Sequence, residues 1–211
     1  DLWLKDPDAL MALRYELGRY IEGSRSTLPV LEVSGGVHPK GKYYVNFQDP
    51  AGPPAADPLV HEGKTYLKVG WDAYDAKKGY GWSGENIGKA SIALFGYDDV
   101  GGFSEVQRSY VYDDYGRPNL FEFALDPGKY KVTVGVGRPA KGYPNDPHNV
   151  SIEGVKIVDD QVTTSGAPLI TKTTNVDVTD GSLSLVVGGK SATTGDFAYT
   201  FFAYLEIEPA S

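Results

Sequence analysis

Between two strand-like segments, residues 137–148 read GRPAKGYPNDPH. They bring together a flat ring (Tyr143), a guanidinium (Arg138), an ammonium (Lys141), an amide (Asn145), a carboxylate (Asp146) and an imidazole (His148). Pro139, Pro144 and Pro147 restrict the backbone and Gly142 permits a tight turn. This set suits recognition: the ring offers a π face, and the polar groups offer hydrogen-bond donors and acceptors on a stiff loop. The same composition suits a proline-rich connection whose polar groups cap its own turns, and the sequence leaves both readings open.

Templates for catalysis are missing. Ser83 lies in GWSGE and Ser104 in GFSEV, neither of which is a nucleophile elbow, and no H-E-x-x-H or phosphate-binding loop occurs. His38, His61 and His148 show no ligand spacing, and the absence of cysteine removes disulfides, thiolate metal sites and thiol nucleophiles. A triad assembled in space, or two carboxylates about 5–10 Å apart, is a matter of geometry that a sequence does not measure. A net charge of -8 over 211 residues argues against nucleic acid, which needs a basic face. No apolar run of about 18 residues exists to span a membrane. The first residue is Asp1, so the chain reads as a piece of something longer.

The elements that must position these groups are mostly strands. Asp6–Gly23 is the exception: Asp6 suits an N-cap, Pro7 the first helical position and Gly23 the stop, with Leu10, Leu13, Leu17, Tyr20 and Ile21 on one stripe. Residues 1–23 are thus expected to form a helix, either part of this domain or the end of a preceding one. Residues 24–42, rich in Gly, Ser and Pro, read as a linker. Strands follow at 43–47, 66–70, 91–95, 107–112 and 119–125. Tyr130, Val132, Val134 and Val136 then alternate with Lys131, Thr133 and Gly135, the period of a half-buried strand. Gly154 and Asp180-Gly181 mark hairpins, and 199–208 closes the set with Phe201, Ala203, Leu205 and Ile207 on one face. Without a βαβ rhythm or a repeat, the expectation for 43–209 is an all-β, antiparallel two-sheet jelly-roll sandwich. The 15 Tyr, 3 Trp and 8 Phe exceed what one sandwich core holds, so some tyrosines must be exposed.

The order YYVNFQDP, GYGWSG, QRSYVYDD, LFEFALDPGKYKVTVGVG, PNDPHNVSIEGV, DGSLSLVVGG and FAYLEIEP resembles the galactose-binding-like, malectin-type β-sandwich modules of polysaccharide-degrading enzymes. It covers about Tyr43–Pro209. The resemblance implies a non-catalytic carbohydrate-binding module, bacterial and secreted or at the cell surface, beside the other domains of a glycoside hydrolase; a monomer is expected because no heptad or apolar patch is visible in the sequence. It implies sugar contacts at Tyr80, Trp82, Arg108, Tyr110, Tyr143, Asn145, Asp146, His148 and Asn149, because a pyranose stacks its C–H face on a ring and pairs its hydroxyls. It also implies a structural calcium near the first and last strands, where Asn46, Asp49, Glu206 and Glu208 supply oxygens. Three readings compete with these. Trp82 could plug the core, Arg108 could pair with Asp113 or Asp114, and the domain could be a spacer of the same fold without sugar affinity or a small glycoside hydrolase or lyase.

Overall fold

A computed structural model describes residues 37–140 and 147–210, which lie in one compact unit spanning residues 35–211. The expected helix at 1–23, and the linker as far as residue 36, lie outside the described residues.

The described chain is an all-β sandwich. The larger sheet runs β11 (Leu169–Val178), β8 (Gly128–Gly137), β13 (Phe202–Pro209), β1 (Tyr43–Phe47), β3 (Lys64–Val69) and β2 (Leu59–His61). It also carries β6 (Ser109–Asp113), paired to β13, and β5 (Ala93–Tyr97), paired to β6. The smaller sheet runs β10 (Val155–Val162), β9 (Pro147–Ile152), β12 (Ser182–Val187), β7 (Asn119–Ala124) and β4 (Tyr80–Ser83). Pairing is antiparallel except between β1 and β3, which run parallel. One short helix, α1 (Glu105–Arg108), opens with the Gln107 side-chain carbonyl accepting from the Ser104 N–H at 3.0 Å.

The core forms where the period-2 pattern predicts it. Tyr130, Val132, Val134 and Val136 of β8 are buried against Phe121 and Phe123 of β7 and Leu183 and Leu185 of β12. β13 departs from the simple alternation. Its register on β8 shifts between Phe202 and Tyr204, a bulge that reverses the faces on either side of it. Phe202 therefore joins Leu205 and Ile207 in the main core. Phe201 and Ala203, expected there instead, join Leu59, Tyr66, Val106, Tyr110 and Tyr204 in a second cluster on the outer side of the larger sheet. Tyr66, Tyr110 and Tyr204 lie in this cluster, with Tyr44 and Tyr112 packed against it. The Tyr204 ring lies so close over Gly135 that a Cβ there would sit 2.0 Å from the ring.

The linker gives way to the sandwich before Tyr43. The His38 N–H donates to the Ala124 carbonyl at 3.0 Å and its ring stacks on Phe123 at 4.1 Å between centroids.

Candidate site at the loop-rich end

β8 ends, and β9, β7 and β13 begin, at one end of the sandwich. The chain leaves β8 through Gly137, whose φ of +109° is open to glycine and strained for other residues. An added Cβ would also meet the Pro168 carbonyl oxygen at 2.2 Å. Gly137→Ala is expected to destabilise the domain by about 2 kcal/mol or more, read from the urea midpoint, because positive φ and backbone overlap act together.

Just beyond, Asp98 forms a buried junction. Its carboxylate accepts from Arg138 Nη2 at 3.1 Å, from Arg138 Nε at 3.3 Å and from the Ala140 N–H at 3.0 Å. Tyr110 Oη donates to the same carboxylate at 3.3 Å, and the guanidinium lies 5.5 Å from the Tyr110 ring and 5.4 Å from the Phe201 ring. The start of the 137–148 segment is thus fixed by an ion pair held between aromatic faces.

His148 fixes its far end. It is fully buried; Nδ1–H donates to the Tyr199 carbonyl at 3.0 Å, and Nε2 accepts from Thr163 Oγ1 at 3.2 Å. Burial lowers its pKa to about 4, against a smaller opposing effect of the Tyr199 hydrogen bond, so the ring is neutral at pH 7. Beside it Asn149 Nδ2 donates to Asp160 at 2.9 Å, and Asp160 also accepts from Ser191 Oγ and the Thr193 N–H, both at 2.9 Å. Burial opposes ionisation of Asp160, but these donors outweigh it and hold its pKa at about 2. A permanent carboxylate thus ties the β12–β13 loop to β9 and β10.

That loop and the β6–β7 loop each carry an exposed tyrosine. Tyr115 is 57% exposed and Tyr199 is 38% exposed. Gly116 packs on the Ala198 backbone, so the two tyrosines flank a single loop-to-loop contact. Arg117 lies 4.0 Å above the Phe197 ring and its Nε donates to Glu85 at 2.9 Å; Lys190 Nζ is 5.5 Å from the same ring. A surface with two open rings beside held cationic and anionic groups can stack a flat apolar face and bond a polar rim.

The residues implied by resemblance are placed differently. Trp82 is 1% exposed, packed on Phe47, Phe121 and Trp71, with Nε1 donating to the Gly70 carbonyl at 2.9 Å. It is a core residue and presents no face to a ligand. Tyr80 lies at the far end of β4, partly buried and stacked on Phe123. Tyr110, His148 and Asn149 are at the loop-rich end but buried, acting as its supports. Arg108 pairs with Asp99 at 2.9 Å and with Glu105, rather than with Asp113 or Asp114. Tyr143, Asn145 and Asp146 lie outside the described residues. Sequence reading missed Tyr115 and Tyr199. The available signal for Tyr115 was an aromatic inside the polar, glycine-bearing run DDYGR, where no alternating strand could bury it.

The four residues expected to hold calcium each have other partners in the fold. Asn46 is fully buried, donating to the Val106 and Ala203 carbonyls and accepting from Ser109 Oγ. Asp49 accepts from the Ala51 N–H of its own turn. Glu206 is held by Lys64 at 2.7 Å and by Tyr66, and Glu208 accepts from Tyr44 at 3.0 Å. Among the described residues, no group of three or more His, Asp or Glu side chains is gathered to hold a metal ion. Among the same residues, no helix is long and apolar enough to cross a membrane.

No family model and no curated protein matches the chain. Solved structures do. The YxiM protein of Bacillus subtilis is similar at 26% identity and a TM-score of 0.51, over 81% of this chain and 40% of that one. The ANX2 ectodomain of Arabidopsis thaliana is similar at 11% identity and a TM-score of 0.55, over 81% and 42%. A Bacteroides uniformis β-glucuronidase is similar at 10% identity and a TM-score of 0.51, over 81% and 18%. The chain therefore spans less than half of each. The two likenesses near 10% identity concern the sandwich fold, which hosts many functions.

Proposed function

We propose that this domain is a non-catalytic carbohydrate-binding module, extracellular and bacterial, that holds a longer polysaccharide-degrading enzyme on its substrate. The observation that carries the reading is the pair of exposed rings, Tyr115 and Tyr199, beside Arg117 on the loop-rich end. Pyranose rings stack on such tyrosines, and hydroxyls pair with guanidinium and carboxylate groups at the rim. The malectin-type motif order and the similar sandwiches in larger proteins support the same reading. A spacer role is the second reading, favoured by the burial of Trp82 and Tyr110.

Affinity electrophoresis through gels containing a panel of soluble plant and algal polysaccharides separates the two. Retardation by at least one is expected, and Tyr115→Ala or Tyr199→Ala should each weaken it roughly tenfold, the loss of one stacking contact. Chelation should leave it unchanged, since each of the four residues above is already bonded within the fold. Wild-type mobility unaffected by every polysaccharide would favour the spacer.

A further inference from the structure

Each sheet ends in edge strands, and one of them, β11, is built unlike the rest. It runs ten residues, Leu169–Val178, in unbroken register on β8, with six β-branched residues and neither proline nor glycine. Its other flank is bare: among the described residues, no backbone hydrogen bond reaches residues 170–178 from any element but β8. The remaining edges are blunted. β2 has three residues, β5 five and β4 four, with residues 72–75 bonded along the outer side of β4, and β10 shifts register twice on β9. A long, regular edge left unblunted is a template for another strand. We propose that β11 pairs antiparallel with β11 of a second copy of this chain, so that the larger sheet continues across a two-fold axis.

The side chains of β11 fit such a partner. The chain carries a net charge of -8, which repels a like copy over most of its surface. β11 itself is neutral, with Lys172 and Asp177 its charged residues. A two-fold axis normal to the sheet sets residues of the same face opposite one another. Centred on Thr174, the pairing overlaps residues 170–178. The exposed face then sets Thr171 against Asp177 and Thr173 against Asn175; the inward face sets Ile170 against Val178, Lys172 against Val176 and Thr174 against itself. No like charges meet, and aliphatic meets aliphatic at both ends. Moving the centre to Thr173 would set Leu169 against Asp177 instead. β10, beside β11 on the same open side, exposes Val155 by 60% and Val162 by 47%, and a cleft lined by Ile157, Thr174 and Val176 joins the two strands. The second copy lies over this flank and removes apolar surface from water.

The test is sedimentation velocity of the whole chain from about 1 to about 300 µM, with dimer growing in towards the upper end. Thr174→Lys places two lysines face to face on the axis, and Thr174→Glu two glutamates, so each should raise the dimer Kd roughly tenfold or more. An equimolar mixture of the two variants should recover the wild-type affinity, because lysine then faces glutamate, and that recovery also shows that both variants fold. Amide hydrogen exchange needs no variant: the outward amides of residues 170–178 should exchange more slowly at the higher concentration than at the lower. A wild-type monomer at every concentration, either variant dimerising at wild-type strength, a mixture without recovery, or exchange of 170–178 independent of concentration would each overturn the proposal. The carbohydrate reading rests on Tyr115 and Tyr199 and stands or falls separately.

Discussion

Trp82→Ala is expected to cost about 3–5 kcal/mol of unfolding free energy, a large share of the stability of an ordinary domain. The indole touches rings on both sheets, with centroids 5.4 Å from Phe47, 5.0 Å from Phe121 and 6.3 Å from Phe202. Its removal leaves a cavity that neighbours fixed by strand pairing fill only in part. It also strips the Gly70 carbonyl of its donor, a further penalty in a buried site. Trp82→Phe should cost less, since the ring volume is mostly kept. Urea unfolding provides the measurement, with a lower midpoint and an unchanged slope. A cost below about 1 kcal/mol together with lost polysaccharide retardation would instead put the indole on the binding surface.

Between about pH 4.5 and 6.5 the wild-type domain should show nearly level stability from two opposed titrations, and Glu153→Gln should expose one of them. Burial raises Glu153 from 4.5 to about 7, with the Ser184 hydrogen bond opposing and Asp180 adding. The folded state therefore holds this proton more tightly than the unfolded chain. Its stabilisation is complete below about pH 4.5 and is lost as pH rises towards about 7. His148 runs the other way. Its pKa is lowered from 6.5 to about 4, so stability is complete above about pH 6.5 and is lost as pH falls towards about 4. Each contributes roughly 1.4 kcal/mol per pH unit in the shared window, with opposite sign. With Glu153→Gln the level region should become a rise of about 3 kcal/mol between pH 4 and 6.5, and the variant should exceed wild type at pH 8. Urea midpoints across pH give the profile. A variant curve parallel to wild type would show that Glu153 ionises normally.

The sandwich was legible where local pattern and tertiary demand agree. The Tyr130–Val136 alternation, the Phe121–Phe123 pair and the Gly154 and Gly181 turns needed only the period of a pleated strand and the freedom of glycine. β4 was missed because Gly81 interrupts the apolar signal between Tyr80 and Trp82. That glycine is required, since a Cβ would fall 2.4 Å from the Tyr74 Cα. The faces of Phe201 and Phe202 were exchanged because a bulge arises from pairing with a partner strand and leaves no mark in one strand's own alternation. The site was less legible. Trp82 in a glycine-rich run has the same sequence signature whether it points inward or outward, and the sheet behind it decides. Arg108 found Glu105 because a four-residue helix, too short to show a period, set them one turn apart. Tyr110 and His148 sit at the expected end, yet their polar atoms serve the fold: Tyr110 bonds Asp98, and His148 bonds Tyr199 and Thr163.

The pairing of β1 with β13 in the middle of the larger sheet has a mechanical consequence. Tyr43 lies opposite Ile207, so the strand by which the chain enters and the strand by which it leaves meet at one end, away from the Tyr115 and Tyr199 loops. A pull applied through both would load their hydrogen bonds one after another, as a zipper, and not together in shear. An anchored neighbour dragging on this domain would therefore load the His38 bonds to Ala124 and Asp126 first, and then part β1 from β13 starting at Tyr43. The loops that face outward would be the last to feel the load.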